Sequence, residues 1–253
     1  MIDHAMAGHR VGFFATCLMN LFRPDLGFAA VALLEDAGCV VEVPMQQTCC
    51  GQPGHNSGDA ESARALARQL IATFEGYDAL VAPSGSCIAT IRKDYPRLLA
   101  DDPTWRRRAE SLAAKSWELT AFLVEVRGVT RVAARLDGVA TYHDSCSGLR
   151  ALGIKSQPRL LLASVAGLEL REMRDSEVCC GFGGTFCVKY PEISVRMVDD
   201  KIESILATGA DLLIGGDLGC LMNIEGRLRR RGLPIQVRHV AEVLAASPEP
   251  GSR

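Results

Sequence analysis

Thr48-Cys49-Cys50-Gly51 returns 130 residues later as Val178-Cys179-Cys180-Gly181, and this repeat limits what the chain can fold into. Each copy is framed by further cysteines. The first set reads Cys17-x31-Cys49-Cys50-Gly51-x35-Cys87, and the second reads Cys146-x32-Cys179-Cys180-Gly181-x38-Cys220. Eight of the ten cysteines therefore fall into two matching sets of four, which calls for two similar halves. With 253 residues available, each half is large enough to bury its own core.

The residues between the cysteines alternate between two patterns. Short apolar runs without helical period read as buried strands: Arg10–Thr16, Val40–Val43 and Ala79–Ala82 in the first half. In the second half, Val139–Tyr142, residues 168–171, 211–214 and Ile235–Val237 read the same way. Between them lie amphipathic stretches. In the clearest, Ala63, Leu66, Ala67, Leu70, Ile71 and Phe74 fall on one helical face, with Ser57 or Asp59 available as a cap. Asn20, Pro24 and Asp25 mark a turn and a helix start, and the first Cys-Cys-Gly sits in a loop with Pro53 and Gly54. Residues 105–126 read as helix, and so do residues 157–166, 193–207, 220–230 and 239–246.

Strands alternating with helices predict the α/β class. The expected architecture is an internal duplication of two Rossmann-like parallel-sheet halves with pseudo-twofold symmetry, residues 1–127 and 138–253. In such units ligands gather at the carboxyl ends of strands, where the cysteines stand.

Four thiolates are the usual complement of a [4Fe–4S] cluster. The residues point to one cluster per set, held by Cys17, Cys49, Cys50 and Cys87, and by Cys146, Cys179, Cys180 and Cys220. The glycine after each pair lets backbone approach a bulky inorganic core. Zinc is the competing metal, but the short Cys-x2–4-Cys knuckles of structural zinc sites are absent. Thiol or disulfide redox chemistry is the third reading. Cys39 reads as a small buried hydrophobe. Cys187, which has no counterpart in the first half, is outside the eight assigned ligands, with a ligand or redox role as its alternative. His143 and His55 read as structural, with a ligand, proton-carrying or hydrogen-bonding role as the alternative for each.

Other classes find little support. A net charge of −2 offers no nucleic-acid footprint. Gly181-Phe182-Gly183-Gly184 follows a cysteine pair rather than opening a dinucleotide-binding βα unit. No run approaches the ~20 apolar residues of a membrane-spanning helix. The apolar run Val11–Cys17 is too short for an export signal, and its pattern recurs inside the chain. A cytoplasmic protein is expected.

These phrases also resemble a known family. Cys49-Cys50-Gly51-Gln52-Pro53, Pro83-Ser84-Gly85-Ser86-Cys87, Cys179-Cys180-Gly181-Phe182-Gly183-Gly184-Thr185-Phe186 and Val237-Arg238-His239-Val240-Ala241-Glu242-Val243-Leu244 are similar to the lactate-utilisation protein A family. That family is related to the cysteine-rich component of heterodisulfide reductase and to the iron–sulfur subunit of glycolate oxidase. The resemblance implies an electron-transfer subunit, rather than a complete enzyme, in a system oxidising L-lactate to pyruvate. It also implies two partner subunits, one of them an iron–sulfur protein. The heterodisulfide reductases carry a Cys-x-x-Cys at the end of each motif, and here Ser84 and Asp217 stand at the earlier position. That departure favours a four-cysteine cluster over a noncubane one. The alternatives are electron transfer for another 2-hydroxy acid or a heterodisulfide-type thiol and, from a different class, a zinc-stabilised interaction module.

Overall fold

The computed structural model describes residues 8–246. They form two compact α/β units: one takes the chain up to Pro83 and then Cys87–Val129, the other takes Ser84–Ser86 and everything from Thr130 on. The expected pair of parallel-sheet α/β halves is present.

The first unit holds β1 (Arg10–Phe13), β2 (Val40–Glu42), β3 (Ala79–Ala82) and β4 (Ser116–Glu118), in the order β2-β1-β3-β4 with every neighbour parallel. Parallel neighbours need crossover segments. Helices Pro24–Asp36, Ala60–Phe74 and Pro103–Ala114 lie in those connections. In Ala60–Phe74 the apolar face predicted from spacing is buried through Ala63, Ala67, Leu70, Ile71 and Phe74, and Phe74 reaches β1 beside Gly12 and meets Phe14 just after it. Asp59 caps it, its Oδ1 accepting from Ser62 N at 3.1 Å.

The second unit repeats the plan with β5 (Arg135–His143), β6 (Ala166–Leu170), β7 (Leu212–Gly215) and β8 (Gln236–His239), again all parallel, in the order β6-β5-β7-β8. Helices Ser156–Leu162, Pro191–Leu206 and Leu218–Arg230 lie in its connections. In both sheets the first strand pairs with the second on one side and with the third on the other. Each unit therefore has a point where the winding reverses, between β1 and β3 or between β5 and β7, and a crevice opens there at the carboxyl ends.

Four local expectations need correction. The continuous helix over 105–126 is broken by β4, which pairs Leu80↔Ser116 with β3. Ser116 Oγ donates to Leu112 O at 2.7 Å as one helix ends. Glu118 Oε2 accepts from Thr120 N at 2.8 Å and Ala121 N at 3.1 Å as the next begins. Asn20 lies inside a short helix, Cys17–Phe22, which gives way just before Pro24 opens the next one. Pro53 and Gly54 belong to a helix, Gln52–Asn56, because Pro53 occupies the first turn, where its missing N–H costs nothing. Finally, β5 starts at Arg135 rather than Val139, with a register irregularity between Arg135 and Gly138.

Candidate functional site

The cysteines meet at the two crevices. In the first unit Cys17 follows the end of β1 and opens a helix, Cys87 lies in the helix Gly85–Ala89 after β3, and Cys49-Cys50 lies in the loop after β2. Three strand ends thus deliver four thiols. The Sγ of Cys17 lies 3.9 Å from that of Cys49, and the Sγ of Cys50 lies 3.4 Å from that of Cys87. Cys49 and Cys50 also interact, so the sulfurs form a continuous line, Cys17–Cys49–Cys50–Cys87. The second unit builds the same line, Cys146–Cys179–Cys180–Cys220, from the ends of β5, β6 and β7. In each line the second member of the Cys-Cys pair is the deeply buried one, Cys50 and Cys180.

The glycine closing each pair has a definite task. Gly51 and Gly181 adopt φ of 80° and 83°, a conformation that side chains rarely allow. This bend returns the Gly51 N–H to Cys49 Sγ and the Gly181 N–H to Cys179 Sγ, each at 3.4 Å. At Gly181 a Cβ would also meet Ser194 O at 2.8 Å; at Gly51 the nearest atom would be Leu66 Cβ at 3.4 Å. The carbonyl of the buried cysteine is pinned in both units, by different means. Tyr95 Oη donates to Cys50 O at 2.8 Å, and Asn223 Nδ2 donates to Cys180 O at 2.9 Å.

Charge is distributed unevenly along each line. The Cys17 and Cys50 thiols donate to Cys49, and with Gly51 N–H they hold its thiol far below the ordinary range. The same interactions, with burial added, push Cys17 and Cys50 up. Cys179 is likewise pushed down by Cys146 and Cys180, which are themselves pushed up. Each line thus favours one anion, because neighbouring thiolates repel. Ionising all four thiols calls for a multivalent cation or a metal cluster among them, and an all-thiol donor set suits iron–sulfur clusters or zinc.

The remaining candidates lie as follows. Cys39 is buried, and Cys187 donates to Gly184 O at 3.4 Å. His55 Nε2 sits 4.0 Å from Asp94 Oδ1. Ser84 and Asp217 carry no thiol, and within the second unit Asp217 Oδ2 accepts from Ser86 N at 2.8 Å while Oδ1 accepts from Gly219 N at 3.2 Å. The sequence reading of His143 as structural missed its setting: it is 1% exposed, and neither ring nitrogen has a hydrogen-bond partner. A ring nitrogen of His143, Cys180 Sγ and Cys220 Sγ lie within 4.8 Å of one another. Burial, with Lys201 adding, pushes the imidazole pKa down to about 3, so the ring is neutral. The signal available beforehand was its place three residues before Cys146, where the first set has Phe14 before Cys17.

Comparison with known proteins agrees with the duplicated geometry. The CCG cysteine-rich domain matches the chain twice, over residues 11–92 and 140–225. Lactate utilization protein A of an Exiguobacterium species is 53% identical over 236 residues, covering 92% of this chain and 96% of the relative. Lactate utilization protein A 2 of Bacillus mycoides is 50% identical over 235 residues, covering 93% and 98%. Among solved structures, a hypothetical protein from Helicobacter pylori shares the fold with a TM-score of 0.64 at 12% identity, over 93% of this chain. This chain spans 48% of that one. With two copies of the domain and half-identical relatives over nearly its whole length, the chain belongs to the lactate utilization protein A family.

Proposed function

We propose that this protein is the iron–sulfur electron-transfer subunit of a system that oxidises L-lactate to pyruvate. The observation that carries the reading is the pair of matching four-thiol lines, each at the crevice of its own parallel sheet, in a chain whose relatives are named for lactate utilization. Cys17, Cys49, Cys50 and Cys87 would hold one cluster, and Cys146, Cys179, Cys180 and Cys220 the other. A bound [4Fe–4S] cluster supplies one-electron uptake and release.

The protein's own residues prepare the sites. Gly51 N–H and Gly181 N–H each stabilise an ionised sulfur, and such donors raise the potential of a cluster held there. Cys50 and Cys180 are the most deeply buried thiols of each line, with their carbonyls fixed by Tyr95 and Asn223. Adjacent cysteines reached from separated strand ends suit a multi-iron centre better than a single tetrahedral ion. Lactate oxidation itself releases two electrons and two protons. In this reading the substrate step belongs to partner subunits, two in number and one of them an iron–sulfur protein, as the resemblance to the lactate-utilisation family implies.

Thiolate ligands that must stay reduced fit a reducing compartment, which favours the cytoplasm. No described helix is long and apolar enough to cross a membrane.

Anaerobic purification followed by iron, sulfide and zinc analysis tests the centre: two clusters' worth of iron and sulfide is expected, and zinc without iron would overturn the reading. Deleting the gene in a host without another lactate oxidase should abolish growth on L-lactate; unimpaired growth would remove the substrate assignment and leave the metal assignment standing.

A further inference from the structure

Phe14 and His143 occupy the same place in their units. Each stands three residues before the first thiol of its set, at the carboxyl end of the strand that borders the crevice. Phe14 is fully buried and meets Phe74 edge to face, with ring centroids 5.8 Å apart. An apolar ring is at home there. His143 is buried to the same degree and brings two polar nitrogens that the surrounding protein leaves without partners. Burying such an orphaned group is unfavourable when nothing satisfies it.

Two thiols lie close to the ring. The nitrogen, Cys180 Sγ and Cys220 Sγ all fall within 4.8 Å of one another, a triangle wide enough to hold one metal ion. The charged groups nearby are already engaged. Asp144 is held by Arg159 at 2.8 and 2.9 Å, and Lys201 Nζ donates to the carbonyls of Asp175 and Ser176. Neither satisfies the ring.

We infer that His143 donates a ring nitrogen to the metal centre of the second unit beside Cys180 and Cys220, taking the place of one of the set's four thiolates, so that this centre is mixed nitrogen–sulfur while the first is bound by thiolates alone. The inference rests on the iron–sulfur reading of the cysteine sets. A neutral imidazole in place of an anionic thiolate raises the potential of an iron–sulfur centre. The second centre is therefore the better electron acceptor of the two, and the first the better donor.

The test uses the full-length protein, purified anaerobically, reduced and examined by pulsed EPR with 14N-histidine and with 15N-histidine. A strong coupling typical of directly bound nitrogen is expected, changing with the isotope and disappearing in His143→Phe, the residue type already accommodated in the first unit. In a redox titration, His143→Cys should move the higher of two potentials downward and leave the other unchanged. Labelling the unaltered protein keeps the test independent of whether a variant folds. If iron and sulfide are present without a bound-nitrogen coupling, or with only the weak coupling of a hydrogen bond, the assignment of His143 is overturned and the cluster reading stands. Absence of iron and sulfide from the unaltered protein would instead overturn the cluster reading itself, and this inference with it.

Discussion

The two cysteine lines are alike up to their sulfurs and differ in what stands behind them. Behind the first lie Phe14, Leu70 and Phe74, all fully buried and apolar. Behind the second, His143 replaces Phe14. The helix residues that back each glycine, Ala63 and Leu66 in one unit and Ser194 and Met197 in the other, set a common register. In that register Lys201 stands where the first unit has Leu70. Lys201 is 1% exposed, and burial pushes its ammonium pKa down. Farther out, Arg159 joins Asp144 to Glu172. The fold dictates where the thiols go, because strand ends and a left-handed glycine leave little choice. It leaves the wall behind them free, and one unit fills that wall with hydrocarbon and the other with charge. Interactions among charges strengthen in a poorly polarisable wall, so two crevices with the same cysteine pattern acquire different electrostatics.

The largest effect probes what the units share. Cys50→Ser and Cys180→Ser should each lower iron content by about half, since each removes one thiolate from one four-thiol set. Cys39→Ser should leave it unchanged, and equal losses in all three would dissolve the distinction between ligand and core cysteine.

Reciprocal substitution then probes what they do not share. Leu70→Lys buries an unpartnered charge in the apolar wall and should cost about 4 kcal/mol or more in denaturant unfolding. Lys201→Leu removes one donor from each of the Asp175 and Ser176 carbonyls, which keep the N–H groups of Val178 and Asp144, and should cost only about 1–3 kcal/mol. Similar costs for the two would show that the walls are interchangeable.

Between those magnitudes falls the glycine pair. Alanine at either position is strained by its positive φ, but Gly181→Ala also drives a Cβ to 2.8 Å from Ser194 O. It should cost about 2–3 kcal/mol, against about 1 for Gly51→Ala, by thermal or chemical unfolding. The smallest change is Tyr95→Phe, which removes one hydrogen bond to Cys50 O and should cost about 1 kcal/mol. A null result there would mean that the carbonyl finds another donor.

Much of this was legible from residues alone. The doubled Cys-Cys-Gly announced two halves, the apolar runs gave seven of the eight strands, and the strand-end positions of the cysteines announced their convergence. The strand that escaped, Ser116–Glu118, is three residues long and lies between two segments of helical spacing. Its counterpart Gln236–His239 is legible because Pro234 and a turn isolate it. Helices around Asn20 and Pro53 escaped for the opposite reason: residues that favour turns are tolerated in a helix's first turn or in a helix of only a few residues. His143 was visible as a residue but not as an anomaly. A buried imidazole becomes informative only when its surroundings are known to offer no partner.

The cysteines of one line are drawn from segments 32 and 37 residues apart, across complete strand–helix crossovers. A zinc knuckle can gather its ligands while the rest of the chain is still disordered, and fold around the ion. Here the sheet must be wound before four sulfurs share a crevice at all. For the proposed clusters this sets an order of events: polypeptide first, inorganic centre last, inserted into a finished receptacle. A metal-free sample should accordingly keep the circular dichroism of an α/β protein, and a chelator that strips the centres should leave a folded chain behind.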